Sequence, residues 1–203
     1  MKKILLSSFA IIAFTLLSQA QFKIGIKAGG NTSQQRVNVS EGNALFSNDN
    51  FKSFHAGLIS ELKITERLYL QPQLLYTRRG ATLLSSTGAA DTKVRINYID
   101  LPVNLVYKFP LSFGKIFGGA GAVFSYAFSG KEEQNGHKMN LYSDVKTWRH
   151  EDISLSFTAG LEFNNGLFVS VNSQKGLLDV YKTNGVSVKN RSSSVSIGYL
   201  VTL

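Results

Sequence analysis

Three histidines are the side chains of this 203-residue chain that titrate near neutral pH, so acid–base chemistry would have to start from them. His55 falls in a segment of alternating polarity, whereas His137 and His150 fall in a polar connection. A lone histidine on a polar strand face is far more often a hydrogen-bonded structural residue than a general base, and loop histidines are ordinarily solvated. None of the three stands in a spacing that specifies chemistry. Cysteine is absent, and no His and carboxylate set has metal-ligand spacing. The sequence therefore predicts no catalytic residue, no metal and no cofactor. A lipid-modifying barrel enzyme working through a histidine and a serine is the catalytic alternative.

The other reactive groups are charges carried by alternating segments. Lys23, Lys27, Glu61, Arg79, Asp100 and Glu162 share the polar face of their segments with Gln71, Gln73, Asn104, Asn172 and many serines. The opposite face is free of charge and reads Ile24, Ile26; Phe54, Leu58; Leu70, Leu74; Leu101, Leu105; Phe124, Tyr126; Leu155, Phe157; Val169, Val171; Val195, Ile197. A lysine or arginine facing lipid at the bilayer midplane costs about 2 to 4 kcal/mol, so a barrel in a membrane keeps one face clean. A soluble lipocalin-like barrel produces the same alternation with the apolar face inward. Three features favour lipid. Glycines at 25, 57, 119, 121, 160 and 198 on the polar face suit a crowded lumen. Aromatics gather near the segment ends, with Phe22, Phe109, Phe113, Phe117 and Phe163 at one end and Phe51, Phe54, Tyr76, Tyr126 and Phe128 at the other. The last alternating segment is expected to pair with the first and remove both edges.

The elements that must hold these faces are strands. Period-two alternation predicts eight, near residues 22–30, 52–63, 67–79, 94–108, 115–128, 152–164, 166–175 and 191–203. Tight turns around residues 65–66, 110–114 and 164–166 alternate with long connections at 31–51, 80–93, 129–151 and 176–190. The expected fold is all-β: an eight-stranded antiparallel up-and-down transmembrane β-barrel with short periplasmic turns and long extracellular loops. Pro72 and Pro102 fall inside two neighbouring strands and predict a local weak point, since proline cannot donate to a ladder. The apolar phase slips from Val94, Ile96 and Tyr98 to Ile99, Leu101 and Val103, which predicts a bulge between Tyr98 and Pro102.

Residues 1–20 read as a cleavable signal peptide: Lys2 and Lys3, an apolar stretch from Ile4 to Leu17, then Ser18-Gln19-Ala20. Residues 21–203 are the expected barrel domain. Removing the peptide leaves 20 basic against 13 acidic residues, a formal +7 spread along the chain. An exported chain rarely meets nucleic acid, so lipid head groups are the expected acidic neighbours and no nucleic-acid partner is expected. Expected partners are outer-membrane lipid and lipopolysaccharide, the barrel-assembly machinery during insertion, and envelope or secretion proteins. Lys131, Lys146, Trp148, Arg149, Lys182, Lys189 and Arg191 in the long connections are the candidate contacts, since loops on a rigid scaffold carry binding. Eight strands leave an interior that side chains fill, so the lumen is expected to be packed; a narrow porin-like pore is the alternative.

The opening Phe22-Lys23-Ile24-Gly25-Ile26-Lys27-Ala28-Gly29-Gly30-Asn31, the segment Tyr98-Ile99-Asp100-Leu101-Pro102 and the Gly-rich fifth strand together resemble the PorT family of outer-membrane β-barrel proteins. Asp100 stands where that family commonly has glutamate. The resemblance implies an eight-stranded barrel and an outer-membrane address. It assigns no activity, although the name-giving member is linked to a protein secretion system.

Overall fold

Alternating side chains in the long described segments bury one face of each strand and leave the other outside, and the backbone ladders close accordingly. The computed structural model describes residues 22–39, 46–85, 92–134, 137–143, 148–180 and 186–202. The signal peptide predicted at 1–20, together with Lys146 and Lys182, lies outside the described residues. Ten strands are described: β1 (Phe22–Val39), β2 (Phe46–Asp49), β3 (Phe51–Lys63), β4 (Leu68–Ser85), β5 (Thr92–Leu111), β6 (Gly114–Gln134), β7 (His137–Asn140), β8 (Glu151–Phe163), β9 (Leu167–Gly176) and β10 (Val186–Thr202). Eight of them, β1, β3, β4, β5, β6, β8, β9 and β10, pair antiparallel in a closed ring, each with its neighbours in the chain. The short β2 and β7 lie against the ends of β4 and β6. The first and last strands meet from Lys23↔Thr202 to Val39↔Val186, so no edge remains among the ring strands.

Three tight turns gather at one end. In the β8–β9 turn Gly166 has φ 89°, a left-handed conformation that glycine adopts without strain, and Asn165 Oδ1 accepts from the Leu167 amide at 3.0 Å. In the β3–β4 turn Thr65 Oγ1 accepts from the Leu68 amide at 3.1 Å. The long connections gather at the opposite end.

Strand reaches into all four of the long connections expected at 31–51, 80–93, 129–151 and 176–190. β1 runs on to Val39, β4 to Ser85, β5 begins at Thr92 and β6 reaches Gln134. With 21 residues β6 is about twice the 9 to 11 residues that cross a bilayer. Serine, threonine, glycine and charge hid the alternation there, because outside a hydrocarbon layer the outward face has no need to be apolar.

The expected bulge is found one residue outside the predicted interval and on the other strand. The β5–β6 register shifts between Asn97 and Tyr98, and Phe128 of β6 is the extra residue. The weak point at the prolines is present as well. The β4–β5 ladder is broken between the pairs Pro72↔Val103 and Leu75↔Asp100, and the β3–β4 ladder between Ile59↔Gln73 and Leu62↔Leu70.

Along β5 every even residue from Val94 to Lys108 is buried, so the strand never turns over. What changes is the chemistry of the lumen. Below Tyr98 the inward residues Asp100, Asn104 and Lys108 alternate with Pro102 and Val106; above it they are Ile96 and Val94 alone, with Lys93 and Arg95 outward. The apparent phase slip marks the height at which the wall passes from a polar-inside to an apolar-inside regime. That apolar end is filled by Val94, Ile96, Tyr98, Ala127, Leu141, Trp148, Val180 and Val188.

Candidate functional site

Inward side chains of the eight ring strands form a lumen built from charges and amides. Ile26, Phe157 and Val195 on the outer wall are 65%, 57% and 64% exposed, whereas Glu61, Asp100 and Lys108 inside are at most 2% exposed. Apolar-out and charged-in is the arrangement that lipid requires and water forbids.

The layer nearest the tight turns centres on Lys108. Its ammonium bonds Glu61 at 2.5 Å and also Glu162. Lys23 reaches the other oxygen of Glu162 at 2.6 Å, and Gln71 donates to Glu61 at 2.7 Å. The Lys108 ammonium lies 4.8 Å from the Tyr69 ring centroid, adding a cation–π contact. In the middle layer Lys27 donates to Gln73 at 3.3 Å and to Asn172 at 3.4 Å. The upper layer holds Arg79 on Asp100 at 2.6 Å, on Gln174 at 2.8 Å and over the Tyr98 ring at 4.8 Å. Asp152 accepts from Asn190 at 2.8 Å. Three lumen cations (Lys23, Arg79, Lys108) thus pair with three carboxylates (Glu61, Asp100, Glu162), while Lys27 and Asp152 are held by amide side chains.

Glycine makes room for this packing at two places. A Cβ on Gly160 would meet Phe117 Cζ at 2.6 Å, and one on Gly198 would meet Phe168 Cζ at 2.3 Å. Phe117, expected in the girdle at the turn end, therefore points inward over Gly160 and is 6% exposed. The girdle at the other end is present as a contact chain, Phe54 to Tyr76 at 5.8 Å and Tyr76 to Phe128 at 6.1 Å. Inside the lumen, the cavities lined by Lys27, Gln71 and Glu162 and by His55, Asn104 and Gln174 measure about 10 and 20 Å³. Each holds about one water at most.

All six charges singled out in the sequence point into the lumen. Sequence reasoning missed Lys108 and Asp152, although the even phase of β5 through Asp100 and Asn104, and of β8 through Ser154 and Ser156, would have placed both. His55 lies between two partners, its Nδ1 2.5 Å from Asn31 Oδ1 and its Nε2 2.9 Å from Ser196 Oγ. An amide, an imidazole and a hydroxyl in that order have the hydrogen-bond pattern of a nucleophile triad. Ser196 is 2% exposed, and the 20 Å³ cavity beside His55 has no room for an acyl group.

Of the candidate loop contacts, Lys131, Arg149 and Arg191 are exposed and Lys189 is half-buried. Trp148 is the correction: it is 8% exposed and packs into the apolar end with Leu141 and Val180. Beside it His150 stacks on Tyr142 at 4.2 Å and on Tyr126 at 5.4 Å. Burial pushes the Tyr142 phenol well above its ordinary value.

Among solved structures, this chain is similar to Ail, the attachment invasion locus protein of Yersinia pestis, with 16% identity over 89% of this chain and 99% of that one and a TM-score of 0.47. It is similar also to Neisserial surface protein A, with 15% identity over 87% and 96% and a TM-score of 0.49. The N-terminal beta-barrel domain of Pseudomonas aeruginosa OprF gives 12% identity over 90% and 100% and a TM-score of 0.41. Curated proteins gave no match. The family model for the outer membrane protein beta-barrel domain matches residues 17–182, most of the chain, and with the apolar wall and charged lumen it settles both kinship and address: the chain belongs to that family and is a protein of the outer membrane.

Proposed function

We propose that this protein is a sealed, non-catalytic scaffold of the outer membrane, with its tight turns in the periplasm and its long connections outside the cell. The observation that carries this reading is the lumen, where Lys23, Arg79 and Lys108 are ion-paired with Glu61, Asp100 and Glu162 and where, among the described residues, the cavities beside Lys27 and His55 measure only about 10 and 20 Å³. The orientation is supported by the wall itself, which runs beyond its apolar band only at the long-connection end and carries Lys93, Arg95 and Lys131 outward there. Those extensions offer exposed Lys131, Arg149 and Arg191 to envelope partners. Kinship with the PorT family and a place in secretion rest on the sequence resemblance, and insertion by the barrel-assembly machinery follows from the general route of such barrels.

Planar-bilayer recording of the purified chain is the test. A filled lumen gives no stable single-channel steps, and steps of constant size would overturn the sealed reading. Lipid A acyl composition in cells carrying His55→Ala should match the wild type, and a changed acyl pattern would restore the enzyme reading.

A further inference from the structure

The outer wall formed by β1, β10, β9 and β8 changes chemistry in three steps toward the long-connection end. The first row across the register is Gly30, Val195, Val171 and Ala159. Two residues further along each strand the row is Thr32, Ser193, Ser173 and Phe157. The third row is Gln34, Arg191 and Lys175, closed by Leu155. Small side chains in the first two rows leave a groove of about 500 Å³, bounded on one side by the exposed Phe157 ring. Alternate residues on a strand are about 6.6 Å apart, so the cations stand roughly 13 Å beyond the valines.

Arg191 and Lys175 are directly opposite across the β9–β10 ladder, and both are exposed on the outer face. Neither takes part in an ion pair among the described residues. Like charges directly opposite on neighbouring strands repel. A dianion bound between them removes that repulsion, with the guanidinium fork taking two oxygens and the ammonium a third.

We propose that this groove is a binding site for a phosphorylated lipid of the outer leaflet, the lipid A part of lipopolysaccharide. An acyl chain lies along Gly30, Val195, Val171 and Ala159, the hydroxyls of Thr32, Ser193 and Ser173 meet the ester and sugar oxygens, and a phosphate bridges Arg191 and Lys175. The order apolar, hydroxyl, cation along the wall is the order acyl, ester, phosphate along such a lipid. The choice of the outer leaflet rests on the orientation proposed above.

The test uses the full chain in lipid-free detergent micelles, titrated with bis-phosphorylated lipid A, with its dephosphorylated form and with phosphatidylglycerol. Binding is read by native mass spectrometry and by the unfolding temperature of the heat-modifiable band. Lipid A should raise that temperature, and the Lys175→Ala/Arg191→Ala variant should bind at least tenfold more weakly while unfolding, without lipid, no earlier than the wild type. Lys175→Arg/Arg191→Lys should keep binding, and Ser193→Phe, which fills the groove with both cations in place, should lose it. Equal binding of the dephosphorylated form, equal binding of phosphatidylglycerol, or undiminished binding by the double alanine variant would overturn the proposal. Orientation is read separately. The chain has no cysteine, so Lys131→Cys labelled by an impermeant maleimide on intact cells reports that end alone. Labelling failure with lipid A binding intact sinks the orientation and leaves the groove's affinity standing.

Discussion

Removing the Lys108 ammonium is the sharpest perturbation of the lumen, because two carboxylates converge on it and it is itself buried together with Glu61. Lys108 and Glu61 are each 1% exposed at 2.5 Å separation, so solvent screening does not soften the loss. Breaking a buried ion pair by deleting one partner costs about 3 to 5 kcal/mol, most of it the burden of the stranded charge. Lys108→Met should lower the unfolding free energy by that amount, roughly two to three and a half decades in the equilibrium constant. The structure also says which second change repairs it. Glu162 keeps Lys23 at 2.6 Å, whereas Glu61 is left with the Gln71 amide at 2.7 Å. Adding Glu61→Gln should therefore recover most of the loss with no rearrangement. Adding Glu162→Gln should recover less, because Lys23 must leave its present position to serve Glu61. Equilibrium unfolding in guanidinium, followed by the folded band on unboiled gels, measures all four proteins. A Lys108→Met variant within about 0.5 kcal/mol of the wild type, or better rescue by Glu162→Gln than by Glu61→Gln, would refute the reasoning.

Three other expectations concern the wall, the glycines and the apolar end. Leu105 lies midway along the outward run Ile99, Leu101, Val103, Leu105, Tyr107 and Phe109, so Leu105→Arg should destabilise the vesicle-inserted protein by about 2 to 4 kcal/mol. Gln34→Arg, beyond that band, should cost well under half as much in the same assay. Gly198→Val drives a side chain into the Phe168 ring and should cost about 1 to 3 kcal/mol, with Phe168→Ala added to it restoring part of the loss in the same unfolding measurement. The chain's one tryptophan is Trp148, buried against Leu141 and Val180, so its emission should be blue-shifted and poorly quenched by iodide. Val180→Asp should shift that emission red while leaving the strand signal in circular dichroism unchanged; an unmoved spectrum would contradict the packing described.

Much of this architecture is legible along the chain, because a strand's side chains alternate with period two and a lipid-facing wall tolerates no charge on one of the two phases. Ile24, Leu58, Leu101, Phe157 and Val195 belong to that wall by sequence alone, and Lys27, Glu61, Arg79, Asp100 and Glu162 to the interior. The alternation gave the wrong answer where its physical cause ended. Val94, Ile96 and Tyr98 keep the inward phase of Asp100, yet they read as a slip because the outward face above the membrane is free to be charged. Phe117 misleads because an aromatic near a strand end satisfies an interface or an interior equally well until the neighbours are known, and Trp148 because it stands beside Arg149 in a polar connection whose inward packing only the fold reveals.

Pairing is what the linear order left open. Lys23 meets Glu162 across 139 positions and Arg79 meets Gln174 across 95, contacts fixed by the stagger of a closed ring and by no local spacing. The sequence by itself determined which side of each strand faces hydrocarbon, since that follows from transfer energies residue by residue. Only ring closure decided which cation answers which carboxylate and that Arg191 stands beside Lys175, because those depend on the tilt and register that bring distant strands to one height.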